Sequence, residues 1–518
     1  MLRKRHLVVP FAILPLLVPF AGCGGDDEAG SASSSGGPTA SSGGPGGEAG
    51  TGSDGADIPP WGNGPQPPIL GACDSTSATP DKASGYILIT ENLLAKIKAA
   101  AAANSPAFTK LKQNADRYLT NLDEYKSGAE NHALMYLLTG DAKYAASSYA
   151  WAKKAMARDF RQGSYLEFGE IMRPISLVLN WARAGLTAEQ IKELSDYMHA
   201  CADELWNNPQ GSRWGLSDND LQFAGNNYRM AFVEGTVFLG YALQSLGDSR
   251  GAPWVTLAID KLERSRGILE YTDMFLKGGD WLEGTNYGER SKQRLYRALA
   301  AIASMGGKNY FMEKPFFVNS VQHAVYSTQP GNGFQYPGGD LARSERSEVN
   351  PFSREYVQVA TYWLCDSDGR RLGQTYTTQI APSYDDGARS FDYPALRYMD
   401  MLYALEIPTF DVTKLPLSYR AEGSNWVNAR SAWDAQATSV SISGSPVMQQ
   451  SHQHFDIGAF VIWKKDWLLV NPETFGAGNQ NWVPEANQGL LVPGRELRFN
   501  NEKLVPGMTH FVDKNAAV

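Results

Sequence analysis

Between about Gly85 and Pro416, apolar residues recur at the three-to-four residue spacing of an amphipathic helix. Thr187-Ala188-Glu189-Gln190 has the spacing of a capping box, and Ile191, Leu194, Met198 and Leu205 then keep to one face. Gly185, just upstream, is a stop for the preceding helix. Helix, glycine, cap and helix make an αα-hairpin. The same punctuation recurs at Leu138-Thr139-Gly140-Asp141 and Leu246-Gly247-Asp248. Hairpins in series predict an α/α toroid or bundle over residues 85–415.

After Pro416 the period shortens to two. Ala437 to Ser443 alternates, with Val440 and Ile442 among polar residues. Ile457 to Trp463 and Trp467 to Val470 are β-branched and aromatic, and Lys464-Lys465-Asp466 between them reads as a hairpin turn. Residues 416–518 are therefore expected to form an antiparallel β domain. Asn500 to Val512 reads as the middle of a sheet, so that domain is expected to be incomplete.

The first residues change the picture differently. Arg3, Lys4 and Arg5 precede an apolar run from Leu7 to Phe20, which is short for a membrane span and fits an export signal. The run ends Phe20-Ala21-Gly22-Cys23, two small residues before a cysteine, as in a bacterial lipobox. Residues 1–23 are thus expected to be a lipoprotein signal with Cys23 lipidated; plain secretion is the alternative. Residues 24–84 are rich in Gly, Ser, Pro and Asp and are expected to be a disordered tether. The expected location is the bacterial cell envelope, as an outer-membrane lipoprotein or in the periplasm.

Composition adds limits. The 518 residues are 43% hydrophobic and 20% charged, which suits a globular chain with a sizeable core. A net charge of −8 excludes a general nucleic-acid binder but leaves room for a local basic cleft toward an acidic ligand. With Cys23 lipidated, Cys73, Cys201 and Cys365 form an odd set and no disulfide framework. Cys201 and Cys365 fall in helical apolar stretches and are expected to be buried small hydrophobes.

Three segments carry candidate chemistry. Gly225-Asn226-Asn227-Tyr228-Arg229 places two poor helix formers inside a helical stretch. They read as a helix start, or as amides aimed at a carboxylate or a sugar hydroxyl. Gly278 to Gly288 contains four glycines before a helix expected to begin near Glu289; Trp281 and Tyr287 offer flat faces for sugar rings, or the segment is a loop with a buried aromatic. In Ser451 to Asp456, a strand would put His452, His454 and Asp456 on one face, suited to metal binding or acid–base work.

Together these segments resemble the heparinase II/III-like and alginate lyase-type polysaccharide lyases, from about residue 90 onward. The most specific stretch is His452-x-His454-x-Asp456-x-Gly458-x-Phe460, followed by Trp467 to Asn471. Asn226-Asn227, Trp281, Glu283-Gly284 and Tyr287 match the helical-domain motifs. The resemblance implies an α/α toroid joined to an antiparallel β-sandwich, with the active site between them. It also implies β-elimination on an acidic polysaccharide. Asn227 and His452 would neutralise the uronate carboxylate, and Tyr287 would serve as base, acid or both. Asn226, Trp281, Glu283, Arg229 and Arg290 would bind substrate.

Three positions depart from the pattern. Tyr228 replaces a histidine, and is either a second proton carrier or a packing residue. Asn471 replaces a metal-binding Asp, and Ala486 to Gly489 replaces a histidine-containing segment. His454 is then the one implied zinc ligand left, so no zinc and no other cofactor is expected. Two other classes stay open. A glycoside hydrolase would use two of Asp280, Glu283 and Asp340. A surface glycan-binding lipoprotein would have lost catalysis. The polymer and the oligomeric state are not encoded in any of these motifs.

Overall fold

The computed structural model describes residues 81–120, 128–207, 216, 221–331, 333–339, 349, 351–381, 397–445, 450, 452–454 and 458–470. A short antiparallel ribbon, β1 (Ala83–Tyr86) and β2 (Ile89–Thr90), comes first, where helix was expected. Leu88, at φ 68°, makes the turn, and its N–H is held by Ser304. Among the described residues thirteen α-helices follow before residue 364: α1 (Glu91–Ala102), α2 (Pro106–Arg117), α3 (Gly128–Thr139), α4 (Ala142–Met156), α5 (Glu167–Trp181), α6 (Ala188–Asn207), α7 (Leu221–Ala224), α8 (Asn227–Ser245), α9 (Gly251–Glu263), α10 (Ile268–Phe275), α11 (Gly284–Ser304), α12 (Pro315–Ser327) and α13 (Pro351–Trp363). Then come α14 (Ser367–Thr375) and α15 (Arg397–Leu402).

The predicted hairpins are present. The Thr187 and Gln190 side chains each bond the other's backbone N–H, at 3.2 and 2.9 Å, closing the capping box of α6. Leu194, Met198 and Leu205 are buried. Gly140 turns the chain at φ 70°, and Asp141 then caps α4 by accepting from Lys143 N–H. Gly247 does the same work after α8, at φ 75°.

Helices α3, α5, α8, α11 and α13 form a row in which each packs on the next. They are nearly all buried, whereas α4, α6 and α9 pack against the row with one face and show the other to solvent. The row is joined by ions. Arg173 (α5) lies 3.4 Å from Glu130 (α3) and 3.3 Å from Glu234 (α8). Arg297 (α11) lies 2.8 Å from Glu234 and 3.2 Å from Glu355 (α13). All five are buried, so desolvation offsets much of their attraction; losing one partner would strand the others.

The C-terminal strands form one five-stranded antiparallel meander: β3 (Ser418–Ala421), β4 (Trp426–Arg430), β5 (Ser439–Ile442), β6 (Phe460–Trp463) and β7 (Trp467–Leu469), in that order. Lys464 to Asp466 is the β6–β7 turn, with Lys465 at φ 65°. The sheet docks on α12 and its flanks. Tyr419 donates to the Gly278 carbonyl at 2.8 Å, Arg430 to the Tyr326 and Thr328 carbonyls at 2.9 Å each, and Trp463 to the Pro330 carbonyl at 3.0 Å. Among the described residues after 416 there is no second sheet to pack on this one, as a sandwich would require.

Two expectations are corrected here. Cys365 is disulfide-bonded rather than a free buried hydrophobe, with its partner outside the described residues. Cys201 is free and buried, as expected. His452 lies in a turn, closed by Gln453 N–H to the Gln450 carbonyl, with His454 just after it, and neither is on a strand. The period-two rule therefore does not apply to them.

Candidate active site

Helix α11 begins at Gly284, five residues earlier than expected, so Tyr287 sits in its first turn. The reason is a close backbone approach. Gly284 has φ 79°, and a Cβ there would meet the Gly338 carbonyl oxygen at 2.0 Å. Thr285 fixes the contact: its N–H and hydroxyl bond the Gly338 and Tyr336 carbonyls, at 2.7 and 2.6 Å. Gly339, at φ 62°, fits between the carbonyls of Glu283 and His452, each 2.7 Å from where its Cβ would be. The glycine-rich segment is thus the helix start, pinned against the 338–339 loop.

This geometry brings Tyr287 against His452. Their rings are stacked, with centroids 3.5 Å apart and planes within 5°. Both are half-buried. Asn227 lies in the first turn of α8, after Asn226, whose side chain caps that helix by accepting from Tyr228 N–H at 2.9 Å. The Asn227 side-chain amide and backbone N–H both donate to Glu283 Oε1, at 2.8 and 3.1 Å. Ser291 donates to Glu283 Oε2 at 2.7 Å. Burial pushes the Glu283 carboxyl up, opposed by the charge of His452 and by the Asn227 bonds. That opposition ties all four residues to one neighbourhood.

The outer frame is cationic. Arg294 donates to the Asn227 carbonyl at 3.1 Å and to Glu170 at 3.0 Å. Arg290, one turn beyond Tyr287, pairs with the same Glu170 oxygen at 3.0 Å and lies over Phe352. Three arginines and Arg297 hold the Glu170 carboxyl well below the usual range, against its burial.

The site residues read from sequence divide accordingly. Tyr287, His452 and Asn227 converge, although they come from three separate segments. Glu283 is fully buried with its oxygens engaged, so it holds Asn227 and has no face open to a ligand. Trp281 is also buried; its indole donates to the Gly225 carbonyl at 2.9 Å and packs on Tyr271 and Phe316, so it offers no face to a sugar. One face of Tyr287 is covered by His452. Tyr228 packs edge-on to Phe232, and burial, then the charge of Glu283, pushes its phenol up, away from use as a base. Arg229 is buried in α8. Ser291, Arg294 and Glu170 were missed. Tyr287, Arg290, Ser291 and Arg294 stand at i, i+3, i+4 and i+7, the spacing of one helix face, which a helix start at Gly284 makes visible.

His454 points elsewhere. It is buried, and with Asp280, Glu289 and His323 it lines a separate cavity of about 40 Å³ between α11, α12 and the sheet. His323 Nε2 is 3.6 Å from Asp280, and neither ring nitrogen has a hydrogen-bond partner. Burial, then repulsion from Lys292, pushes the imidazole down to about 3, while burial pushes the Asp280 carboxyl up. Among the described residues no three His, Cys, Asp or Glu side chains are grouped to hold a metal ion. Asp456, Asn471 and Asn487, like Asp340, lie outside the described residues.

No protein-family model matches the chain. No curated protein matches it either. Solved structures do. The heparan sulfate lyase HepC from Pedobacter heparinus aligns at 15% identity and a TM-score of 0.39, over 76% of this chain and 62% of that one. Heparinase III aligns at 13% and 0.44, over 79% and 64%. An alginate lyase from Bacteroides ovatus aligns at 13% and 0.40, over 63% of this chain and all of that one. The chain thus spans less than two thirds of the first two.

Proposed function

We propose that this chain is a polysaccharide lyase that cleaves a uronic-acid polymer by β-elimination. The stacked Tyr287–His452 pair, with the Asn227 amide held nearby by Glu283, carries the reading. Elimination removes the proton on the carbon beside the carboxylate, so that carboxylate must first be neutralised. Glu283 takes one N–H of the Asn227 amide, which is itself buried and would reach the carboxylate only as the site opens to substrate. Asn227 and His452 would bind the carboxylate. Tyr287 would take the proton and return it to the leaving oxygen. A phenol with an ordinary pKa near ~10 is a weak base at neutral pH, so this role calls for a cation beside it. Arg290 stands one helical turn away.

Two of the three carboxylates of the hydrolase reading are engaged elsewhere, and the third, Asp340, lies outside the described residues. Glu283 accepts three hydrogen bonds, and Asp280 is aimed at Trp281 N–H and His323 away from the Tyr287 pair. The test is incubation with alginate, heparin-type and hyaluronan-type polymers while following ultraviolet absorbance of the unsaturated product. A rise supports the lyase. New reducing ends without absorbance would replace it with a hydrolase, and retention on the polymer with neither would replace it with a binder.

The remaining expectations complete the proposal. The chain is exported and held at the cell envelope through a lipid on Cys23. A disulfide at Cys365 suits an oxidising compartment outside the cytoplasm. It works without zinc, since neutral amides at Asn471 and Asn487 are poor ligands; metal analysis of the purified protein at a stoichiometric zinc content would refute this.

A further inference from the structure

The disulfide at Cys365 occupies a fixed corner of the fold. Helix α13 ends at Trp363, and Leu364 N–H still bonds the Ala360 carbonyl at 2.8 Å. Asp366, the next residue after Cys365, caps α14 by accepting from the N–H groups of Asp368 and Gly369. Cys365 is half-buried between these two helix ends. The sequence holds four cysteines, and Cys201 is free and buried in α6. The partner of Cys365 is therefore Cys73 or Cys23, both outside the described residues.

The way the chain enters the fold selects between them. Asp81, just before β1, accepts from the Tyr362 hydroxyl at 2.7 Å and from the Thr90 hydroxyl. Tyr362 is in the last turn of α13, three residues before Cys365. The chain therefore joins the helices beside the disulfide corner. Cys73 lies eight residues upstream of Asp81, within at most ~28 Å of extended chain. Cys23 lies 58 residues upstream. The probability of closing a loop falls as about the 3/2 power of its length, which favours Cys73 by roughly twentyfold. Cys23 is also the position expected to carry the lipid, and a thiol bonded to lipid cannot form a disulfide.

We propose that Cys73 pairs with Cys365, and that this disulfide is where the membrane tether is fastened to the folded body. The fastening role rests on the reading of Cys23 as the lipid anchor; the pairing does not. The two thiols lose two protons and two electrons to a disulfide oxidant of the exported compartment, through a mixed disulfide. The bond changes what bears a pull on the tether. Without it the pull reaches Asp81 and the β1–β2 ribbon, whose strands are four and two residues long. A ribbon of that size is marginal by itself. With it the pull passes to the α13–α14 corner, and α13 is packed on α11 in the buried row. The odd number of cysteines left after lipidation is also accounted for, as one pair and one buried thiol.

The experiment uses the full chain as exported by a bacterial host, with free thiols blocked by iodoacetamide in denaturant and no reductant. Digestion by an Asp-directed protease cuts before Asp57, Asp74, Asp340 and Asp366. Mass spectrometry should then find peptide 57–73 linked to peptide 340–365, with Cys201 carrying the label. The cut before Asp26 separates Cys23 from Cys73, so a link from Cys365 to Cys23 is distinguishable and overturns the pairing, as does a labelled Cys365. The fastening is tested on intact membranes. No Lys or Arg lies between positions 6 and 81, so trypsin cuts the tether first at the exposed Lys82, beyond Cys73. After brief trypsin the fragment carrying Cys365 should stay in the membrane pellet, and a phosphine reductant should release it. Release by trypsin alone overturns the fastening. A chain found in the soluble fraction with the 73–365 link intact defeats the anchor and the fastening role, while the pairing stands.

Discussion

Glu283 gives the sharpest stability test. Its two oxygens accept from Asn227 N–H, the Asn227 amide and the Ser291 hydroxyl, all buried. Glu283→Ala strands three donors. At about 1–3 kcal/mol each, with water re-entering the cavity left behind, the loss is at least ~3 kcal/mol. Glu283→Gln keeps the acceptor toward Asn227, and the Ser291 hydroxyl can turn to accept from the new amide. Its cost is below ~1 kcal/mol at acid pH. The pH dependence has a definite sign. Burial raises the folded pKa of Glu283 above its unfolded value, so the folded state binds the proton more tightly. Stability from this group is fully present below the unfolded value near ~4.3 and is lost as pH rises through the folded pKa. Glu283→Gln, which does not titrate, should therefore gain on the unsubstituted chain as pH rises from about 4 to 7. Each unit of upward shift contributes about 1.4 kcal/mol to that gain. The assay is thermal unfolding of the three proteins across this range. A flat difference between the Gln variant and the unsubstituted chain, or an Ala variant as stable as the Gln variant, would refute the reasoning.

Tyr287→Phe should lower product formation by at least about a hundredfold while leaving the melting temperature unchanged, as read by absorbance and calorimetry. His452→Gln, which keeps a polar side chain but loses the ring, should cut kcat/KM about a hundredfold. Arg297→Ala leaves Glu234 and Glu355 buried beside one another, and should cost about 3–5 kcal/mol in denaturant unfolding, far more than Arg264→Ala on an exposed ion pair. Cys201, whose thiol is pushed up to about 12 by burial, should resist iodoacetamide in the folded protein at pH 8 and react only on unfolding.

The helical hairpins were legible because each boundary has its own local chemistry. Thr187, Gln190, Gly140, Asp141 and Gly247 do in the structure what their residue types suggest. The strands from Ser439 onward were legible from alternation. Two readings failed for a shared reason: local rules were applied where tertiary contact decides. The glycines of 278–288 looked like a loop, yet Gly284 is glycine because the Gly338 carbonyl lies against it. The His452–His454 spacing looked like one strand face, yet a turn sends His452 to Tyr287 and His454 into another cavity. Trp281 and Glu283 were read as contact surfaces and are buried supports in the structure, because nothing in a sequence distinguishes the two. The ion-linked row of Glu130, Arg173, Glu234, Arg297 and Glu355 was invisible, since its members are one per helix and far apart in the chain.

The face-to-face contact of Tyr287 and His452 has a consequence for the direction of approach. Rings 3.5 Å apart leave no room for a sugar between them. On the proposed reading a polymer meets this pair at its rim or at an outer ring face, never between the rings. On that reading the two groups act like the teeth of a comb drawn across the chain, one serving the carboxylate and one the carbon beside it. Because one ring rides on α11 and the other on the turn leading into β6, the spacing of those teeth is a gauge of how the sheet is seated on the helices. A substitution at that seam, such as at Arg430 or Trp463, would be felt in catalysis without touching the sugar.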